Sequence, residues 1–350
     1  MFAGATAPNG FVNYFNCIMP LDNAKKRYFL KGSSGSGKST FIKKIAAAFE
    51  STGYGMDLFH CSNDAGSLDG VSIKEKGICV IDGTAPHVCD PELPAVIDKI
   101  IDFAVFIDES KVSGYTDEIQ SLLRRKKLLT EKGRGFLAAA GKVYTAERIS
   151  SEAALKRASI QEMTREWFKV FDSVGKPGYS GMDRKMFLKA VTPDGVVSFA
   201  DEALSGCMVC SLYDEAGTAA YVFLSKLRDE ANARGIDTES FSNPFEPNAL
   251  EYLLLPEMKT AFAATGGYHG YSGRADEIID FGACYDSETL GYTKSGMDIG
   301  GLFGSLLDES IGLMKESRTL HARIEEIYIN AIDFKKINEL TDRIICELLS

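Results

Sequence analysis

Eight residues near the N-terminus have the types and spacing of a phosphate-binding loop. Residues 32–39 read GSSGSGKS, which fits the pattern G-x-x-x-x-G-K-S. Glycines let backbone amides turn inward on a phosphate chain, and the following helix adds the positive end of its dipole. A lysine then reaches the β- and γ-phosphates, and a serine hydroxyl is a hard ligand for Mg²⁺. The predicted nucleotide-binding residues are Gly32, Ser33, Ser34, Gly35, Ser36, Gly37, Lys38, Ser39 and Thr40.

A phosphate-binding loop requires a strand before it and a helix after it, and the sequence predicts both. Residues 27–31 are a short apolar run that predicts a strand. The residues after Ser39 have helical spacing up to Gly53, a typical helix C-cap. A flexible Gly/Ser linker is the alternative, but such a linker is not expected to lie directly between a strand and a helix.

A magnesium site of this kind also needs an acidic residue at the end of a neighbouring strand. Asp82 follows the apolar run 78–81 and is our candidate, which makes Lys38 and Asp82 the predicted catalytic residues and Ser39 and Asp82 the predicted Mg²⁺ ligands. Asp108, followed by Glu109, is a competitor because it also follows apolar residues. Residues 91–103 have helical spacing, so Asp108 is expected near a helix end, which favours Asp82. No guanine-reading N-K-x-D motif is found, and ATP is therefore favoured over GTP.

The loop belongs to a unit that recurs later in the chain. Residues 32–87 align without a gap with residues 214–269, and Gly35 meets Gly217 in that alignment. The second copy has lost the phosphate and metal ligands, and two acids, Asp214 and Glu215, are expected to repel an anion there. A single nucleotide site per chain is predicted. The exchanged positions are Asp214 for Gly32, Ala220 for Lys38, Tyr221 for Ser39 and Ala264 for Asp82.

Alternating apolar runs predict an α/β fold of two repeated P-loop NTPase-like units, with parallel doubly wound sheets and a long helical tail after each unit. The tails are expected within 114–131, 152–171 and 308–348, and the Gly/Pro-rich segment 174–181 marks the boundary. Residues 1–178 thus form a domain with an intact site, and residues 179–350 a degenerate one. Strands are predicted near 2–6, 27–31, 56–61, 71–75 and 77–82, and near 186–192, 207–213, 236–242, 251–255 and 259–264.

Several further residues have chemistry that the loop does not use. The polar segment 60–70 is either a solvated loop or one that faces the γ-phosphate or a substrate, with His60, Asp64 and Asp69 as candidates. His87 is expected to have a structural hydrogen-bonding role. A zinc cluster of Cys61, Cys89, His60 and His87 is not predicted, because their spacing matches no zinc-finger pattern.

One basic run and one isolated arginine are the candidates for a contact with the nucleotide site from elsewhere in the fold. Residues 124–127 read RRKK and are expected to form a solvated helix face, with an arginine-finger or docking role as the alternative. Arg274 is the other candidate.

Composition limits the classes of function. A length of 350 residues indicates about two domains. An apolar fraction of 45%, a charged fraction of 25% and a mean hydropathy of −0.07 exclude collagen-like and disordered chains. A net charge of −10 argues against nucleic-acid partners, and apolar stretches too short to span a bilayer argue against a membrane protein. Eight scattered cysteines indicate reduced thiols and a cytoplasmic location.

Four segments of the chain resemble a known family. FAGATAPNGF, FLKGSSGSGKST, FHCSNDAGSLDGV and VIDGTAPHVCDP are similar to bacterial duplicated P-loop ATPases, or NTP-binding proteins, of uncharacterised biological role. The resemblance covers nearly the full chain and implies ATP binding and hydrolysis. Members of that family often keep an intact P-loop in both halves, so Ala220 and Tyr221 depart from the pattern.

The sequence therefore predicts a Mg²⁺-dependent ATP-binding protein that hydrolyses ATP at one N-terminal site. Two alternatives stay open. The chain could be a small-molecule kinase whose segment 60–70 binds an acceptor hydroxyl, or a nucleotide-gated interaction module with negligible turnover that presents its helical tails to a protein partner.

Overall fold

The chain has a mixed α/β structure, seen in a computed structural model that describes residues 1–267, 269–292 and 298–349. In chain order the strands are β1 (Gly4–Ala7), β2 (Gly10–Asn13), β3 (Lys26–Lys31), β4 (Asp57–His60), β5 (Leu68–Ile73), β6 (Ile78–Asp82), β7 (Asp98–Asp102), β8 (Asp183–Met186), β9 (Lys189–Thr192), β10 (Gly195–Ser198), β11 (Met208–Tyr213), β12 (Thr238–Asn243), β13 (Glu246–Leu255), β14 (Thr260–Gly266), β15 (His269–Gly270) and β16 (Glu277–Asp280). The helices are α1 (Lys38–Glu50), α2 (Glu109–Val112), α3 (Thr116–Ala153), α4 (Arg157–Val174), α5 (Ala200–Ala203), α6 (Thr218–Ala233), α7 (Ser287–Tyr292), α8 (Ile299–Ile329) and α9 (Phe334–Leu349).

The two main sheets have matching strand order and direction. The first runs β4-β5-β6-β3-β7, and the second contains β12-β13-β14-β11-β16, with β8 added at one end. In each, the strand before the loop is parallel to both neighbours, whereas β4-β5-β6 and β12-β13-β14 are antiparallel meanders. The added strand β8 pairs in parallel with β12. The prediction of parallel sheets is wrong for this meander. Only a few residues join β5 to β6, and a connection that short permits only antiparallel pairing.

The prediction of doubly wound sheets is also wrong, because α1 and α9 cover one face of the first sheet, and α4 and α6 cover one face of the second. Along β3, Tyr28 and Leu30 pack with residues of α1 and α9, whereas Phe29 faces the opposite way. Phe29 belongs to a buried cluster that includes Phe241 and Tyr252 of the second sheet. The inner faces of the two sheets therefore pack on one another, and this strand is apolar on both sides.

The final helix of each half packs on the other half. α9 lies against α1 of the first half, and α4 lies against α6 of the second half. The long helices α3 and α8 pack side by side, with a hydrogen bond of 2.9 Å from Ser310 Oγ to the Gly133 carbonyl oxygen. The boundary predicted at 178/179 falls between α4 and β8. Each half therefore contributes its final helix, α4 or α9, to the core of the other half.

The helical prediction for residues 91–103 is wrong. Residues 98–102 form β7, an edge strand that pairs in parallel with β3. Its Asp98 is buried and accepts hydrogen bonds of 2.7 and 2.9 Å from the guanidinium of Arg27 on β3. Apolar spacing in so short a run fits a helix and a strand equally well, so periodicity could not decide between them.

Two further observations bear on the composition argument. Across the described ranges, no helix combines the length and apolar character needed to cross a membrane. All eight cysteines are free thiols, in agreement with the sequence-based expectation.

Candidate functional site

The first loop, residues 32–40, connects β3 to α1 through backbone conformations that favour glycine. Gly35 and Gly37 have φ angles of +73° and +90°. Gly32 is packed so closely that a Cβ atom there would lie 2.8 Å from the Cβ of Phe103. A strand, a glycine-rich turn and a helix N-terminus therefore follow in the order that a phosphate-binding loop requires.

Lys38 closes the loop from within. Its ammonium donates hydrogen bonds to the carbonyl oxygens of Gly32 (3.0 Å) and Ser33 (2.8 Å). The same nitrogen lies 3.7 Å from Asp82 Oδ2. Because Lys38 is only 8% exposed, its charge acts in a water-poor environment, where electrostatic interactions are stronger than in bulk solvent.

Of the two candidate aspartates, only Asp82 lies beside the first loop. It ends β6, which pairs with β3, and its Oδ1 accepts a 2.9 Å hydrogen bond from the Thr84 amide. Asp108 is exposed, caps the short helix α2 and bonds the Ser110 amide and hydroxyl. Ser39 Oγ accepts a 2.9 Å hydrogen bond from the Leu68 amide, which ties the start of α1 to β5.

Helix α8 covers the first loop, a contact that the sequence analysis missed. Ser34 Oγ lies 3.1 Å from His321 Nε2, and a Cβ atom at Gly35 would lie 3.0 Å from the Glu325 carbonyl oxygen. The Glu325 carboxylate lies beside this contact, with its Oε1 3.7 Å from His321 Nε2. No sequence signal marks this contact, because nearly the whole chain separates the loop from α8.

Burial at the contact between α8 and the first loop shifts the pKa values of two α8 side chains, Glu325 and His321. Burial and the carboxylate of Asp64 raise the pKa of Glu325, although the Gly35 backbone and two lysines oppose the shift. Burial and the positive charges of Lys126 and Lys38 lower the pKa of His321 to about 4. His321 is therefore neutral at pH 7, and its Nδ1, 2.7 Å from Lys126 Nζ, can accept a hydrogen bond from that ammonium.

Three residues of the basic run 124–127 face solvent, and one contacts His321 of α8. Arg124, Arg125 and Lys127 are exposed, as a solvated helix face requires, whereas Lys126 is half-buried against His321. Arg274 forms an ion pair with Asp276, which lies two residues away in the second half.

Segment 60–70 is partly a turn and partly a buried wall of the site. His60 bonds the Ala65 carbonyl oxygen at 2.8 Å and stacks on Phe199 with ring centroids 4.1 Å apart. Asp64 is exposed and accepts hydrogen bonds within its own turn. Asp69, by contrast, is buried, and its burial and the Asp82 carboxylate raise the pKa of Asp69 well above its usual range.

Buried polar atoms without a partner lie close to these residues. Within the described ranges, Ser33 Oγ, Thr84 Oγ1 and His87 Nδ1 have no hydrogen-bond partner. Such atoms are uncommon in folded proteins and point to groups that a ligand or ion satisfies. Ser33 belongs to the first loop, and Thr84 and His87 to the segment after β6.

The second loop, residues 214–221, is filled by its own carboxylate. Asp214 is 1% exposed and accepts hydrogen bonds from the amides of Ala216 (3.1 Å) and Ala220 (2.9 Å). The Tyr285 hydroxyl donates to it as well, at 2.9 Å. The sequence predicts that Asp214 repels an anion, and in the structure its carboxylate itself occupies the loop amides. Ala220 and Ala264 supply no charge in place of Lys38 and Asp82.

In comparisons with known proteins, no family model, no curated protein and no solved structure matches this chain. Its function must therefore be inferred from the chemistry of the site.

Proposed function

We propose that the chain binds Mg·ATP at the first loop and hydrolyses it at that single site. The observation that carries this proposal is the position of the Lys38 ammonium, which is buried within the glycine turn and lies 3.7 Å from Asp82 Oδ2. A cation at the loop and a carboxylate at the end of the adjacent parallel strand are the two charged groups that phosphoryl transfer requires of such a loop.

The residues have separate roles in this proposal. Lys38 and the loop amides stabilise charge that develops on the γ-phosphoryl group. Ser39 and Asp82 offer the hydroxyl and carboxylate oxygens that suit Mg²⁺, which would neutralise charge on the phosphate oxygens when bound with the nucleotide. The unpartnered Ser33 and Thr84 hydroxyls are further donors for an oxygen-rich ligand. These features agree with the P-loop ATPase family that the sequence resembles.

Helix α8 limits access to this site. Because Glu325 packs on Gly35 and His321 contacts Ser34, an entering phosphate would have to displace this part of α8. Since α8 belongs to the second half and packs along α3, nucleotide binding at the first loop would shift the contact between the halves. This observation favours a second candidate function, a nucleotide-gated interaction module with negligible turnover.

A hydrolysis and transfer assay separates these functions. The full chain is incubated with Mg²⁺ and each nucleoside triphosphate, alone and with a panel of metabolites, while affinity and single-turnover release are measured separately. Phosphate release from ATP alone supports the ATPase, and phosphate transfer that needs a metabolite supports a kinase. Tight binding with no single-turnover release supports the gated module. Absence of nucleotide binding contradicts the proposal.

A further inference from the structure

Three metal-ligating side chains of different chemistry converge beside the first loop. Cys61 follows β4, Asp69 lies on β5 and His87 lies just beyond β6, so three successive strands of the meander deliver them to one place. A ligand atom from each lies within 4.8 Å of the other two. We propose that Cys61, Asp69 and His87 bind a transition-metal dication of the zinc class.

The donor set selects the class of metal. A thiolate sulfur, an imidazole nitrogen and a carboxylate oxygen are the ligand types that Zn²⁺ uses, whereas Mg²⁺ and Ca²⁺ prefer oxygen alone. Metal–ligand bonds of about 2.0–2.3 Å place tetrahedral ligand atoms about 3.5 Å apart. Asp69 Oδ2 and His87 Nε2 already have a separation of 3.4 Å. Cys61 binds as the thiolate and Asp69 as the carboxylate, so metal binding releases the protons that these two groups carry to solvent. Three protein ligands leave a fourth position open to water.

Burial and charge favour a cation at this cluster. Asp69 is 6% exposed, and the Asp82 carboxylate adds negative charge to its surroundings, which the Lys38 ammonium partly offsets. Its nearest basic contact in the cluster is His87, with Nε2 3.4 Å from Oδ2. A dication would compensate for a buried carboxylate that is costly to keep charged.

The orientation of His87 is also fixed in advance. Its ring stacks on Phe15, with centroids 4.8 Å apart and planes 18° from parallel. Its Nδ1 is buried without a partner within the described ranges, while Nε2 faces Asp69. Because the aromatic contact holds the imidazole in place, little side-chain entropy would be lost when it binds a metal.

This set differs from the one that sequence spacing excluded. Cys89 donates a 2.9 Å hydrogen bond to Asn16 Oδ1, and His60 bonds the Ala65 carbonyl oxygen. Both residues are therefore committed elsewhere, and both serve as matched controls. The missing ligand is Asp69, which no zinc-finger pattern would have included.

Cobalt binding to the full-length chain tests the proposal. The chelator-treated protein is titrated with Co²⁺, and the near-ultraviolet band of sulfur-to-cobalt charge transfer is recorded. We expect one Co²⁺ per chain with this band, and displacement of the Co²⁺ by Zn²⁺. Cys61→Ser removes the band, and Asp69→Asn and His87→Gln weaken binding by about 100-fold. Cys89→Ser and His60→Gln leave both readouts unchanged, with folding of each variant checked by circular dichroism.

The inference is independent of nucleotide binding, so Lys38→Ala retains the cobalt band. Wild-type protein that binds no Co²⁺, or binds it without a sulfur band, overturns the proposal. A sulfur band that persists in Cys61→Ser also overturns it, because another thiol would then be the ligand. If one variant fails to fold, the wild-type spectrum and the remaining variants still decide the question.

Discussion

The two loops of this chain each lie beside a carboxylate, but the carboxylate comes from a different part of the chain in each. In the second loop the carboxylate is Asp214, a residue of the loop itself, buried to 1% exposure and held by two amides and the Tyr285 hydroxyl. In the first loop it is Glu325 of the distant helix α8, whose side chain is 37% exposed.

This difference separates a permanent occupant from a replaceable one. Asp214 cannot leave without exposing the loop that carries it, whereas Glu325 can leave by a displacement of α8. The first loop also has Lys38 and Asp82 beside it. Ala220 and Ala264 occupy the matching positions in the second loop. The same backbone pattern is thus an internal structural turn in one half, whereas in the other half we propose that it binds a ligand.

The largest effect is expected from Lys38→Ala. Removal of the loop cation should lower ATP turnover by roughly 100-fold or more and abolish tight nucleotide binding, because the Lys38 ammonium lies within the loop itself. Steady-state hydrolysis measures the turnover and calorimetric titration measures the nucleotide binding. Thermal unfolding checks that the variant is folded. Lys43→Ala, an exposed lysine on the same helix, is the control. An unaltered ATPase rate in Lys38→Ala would remove the functional distinction between the loops.

The next effect is expected from Asp82→Asn. If Asp82 acts through Mg²⁺ as we propose, its amide variant should lose most Mg²⁺-dependent turnover while keeping nucleotide affinity within a few-fold. Asp108→Asn, at an exposed helix cap, should behave as the wild type. If Asp108→Asn loses turnover and Asp82→Asn does not, the metal ligand has been assigned to the wrong strand.

The third prediction concerns the stability of the protein after a substitution in the second loop. Asp214→Ala leaves the amides of Ala216 and Ala220 unpaired in a buried turn and should lower the free energy of unfolding by about 3 kcal/mol. Chemical denaturation measures the loss, with Asp229→Ala, an exposed residue of α6, as the control. A variant as stable as the wild type would show that Asp214 is not a structural occupant.

The smallest effect concerns the replaceable carboxylate. Glu325→Gln removes a negative charge from the residue that packs on Gly35, so ATP affinity should rise by about 10-fold with little change in stability. Calorimetric titration measures the affinity, and the neighbouring exposed Glu326→Gln is the control. Affinity that stays constant or falls would show that α8 does not compete with the nucleotide.

Local signals in the sequence predicted the first loop and its flanking elements. The strand predicted at 27–31 and the helix predicted after the loop are confirmed as β3 and α1. Both could be predicted because their signals lie in consecutive residues. The predicted tail 308–348 is two helices, α8 and α9, separated by a short turn. The direction of β5 and the strand character of residues 98–102 depend on pairing partners, which periodicity does not report.

Long-range contacts could not be read from the sequence. The crossing of α4 and α9 between the halves, the position of Glu325 over Gly35 and the meeting of Cys61, Asp69 and His87 all join segments whose spacing follows no motif. Apolar residues on both faces of β3 were compatible with helices on either side. Only the structure shows that the second sheet covers the inner face.

The central claim is that one loop binds nucleotide and the other cannot. Calorimetric titration of the full chain with Mg·ATP measures the number of sites directly. We expect one site per chain, and none in Lys38→Ala, because Asp214 keeps the second loop filled. Two equivalent sites per chain, or tight binding that persists in Lys38→Ala, would contradict this account.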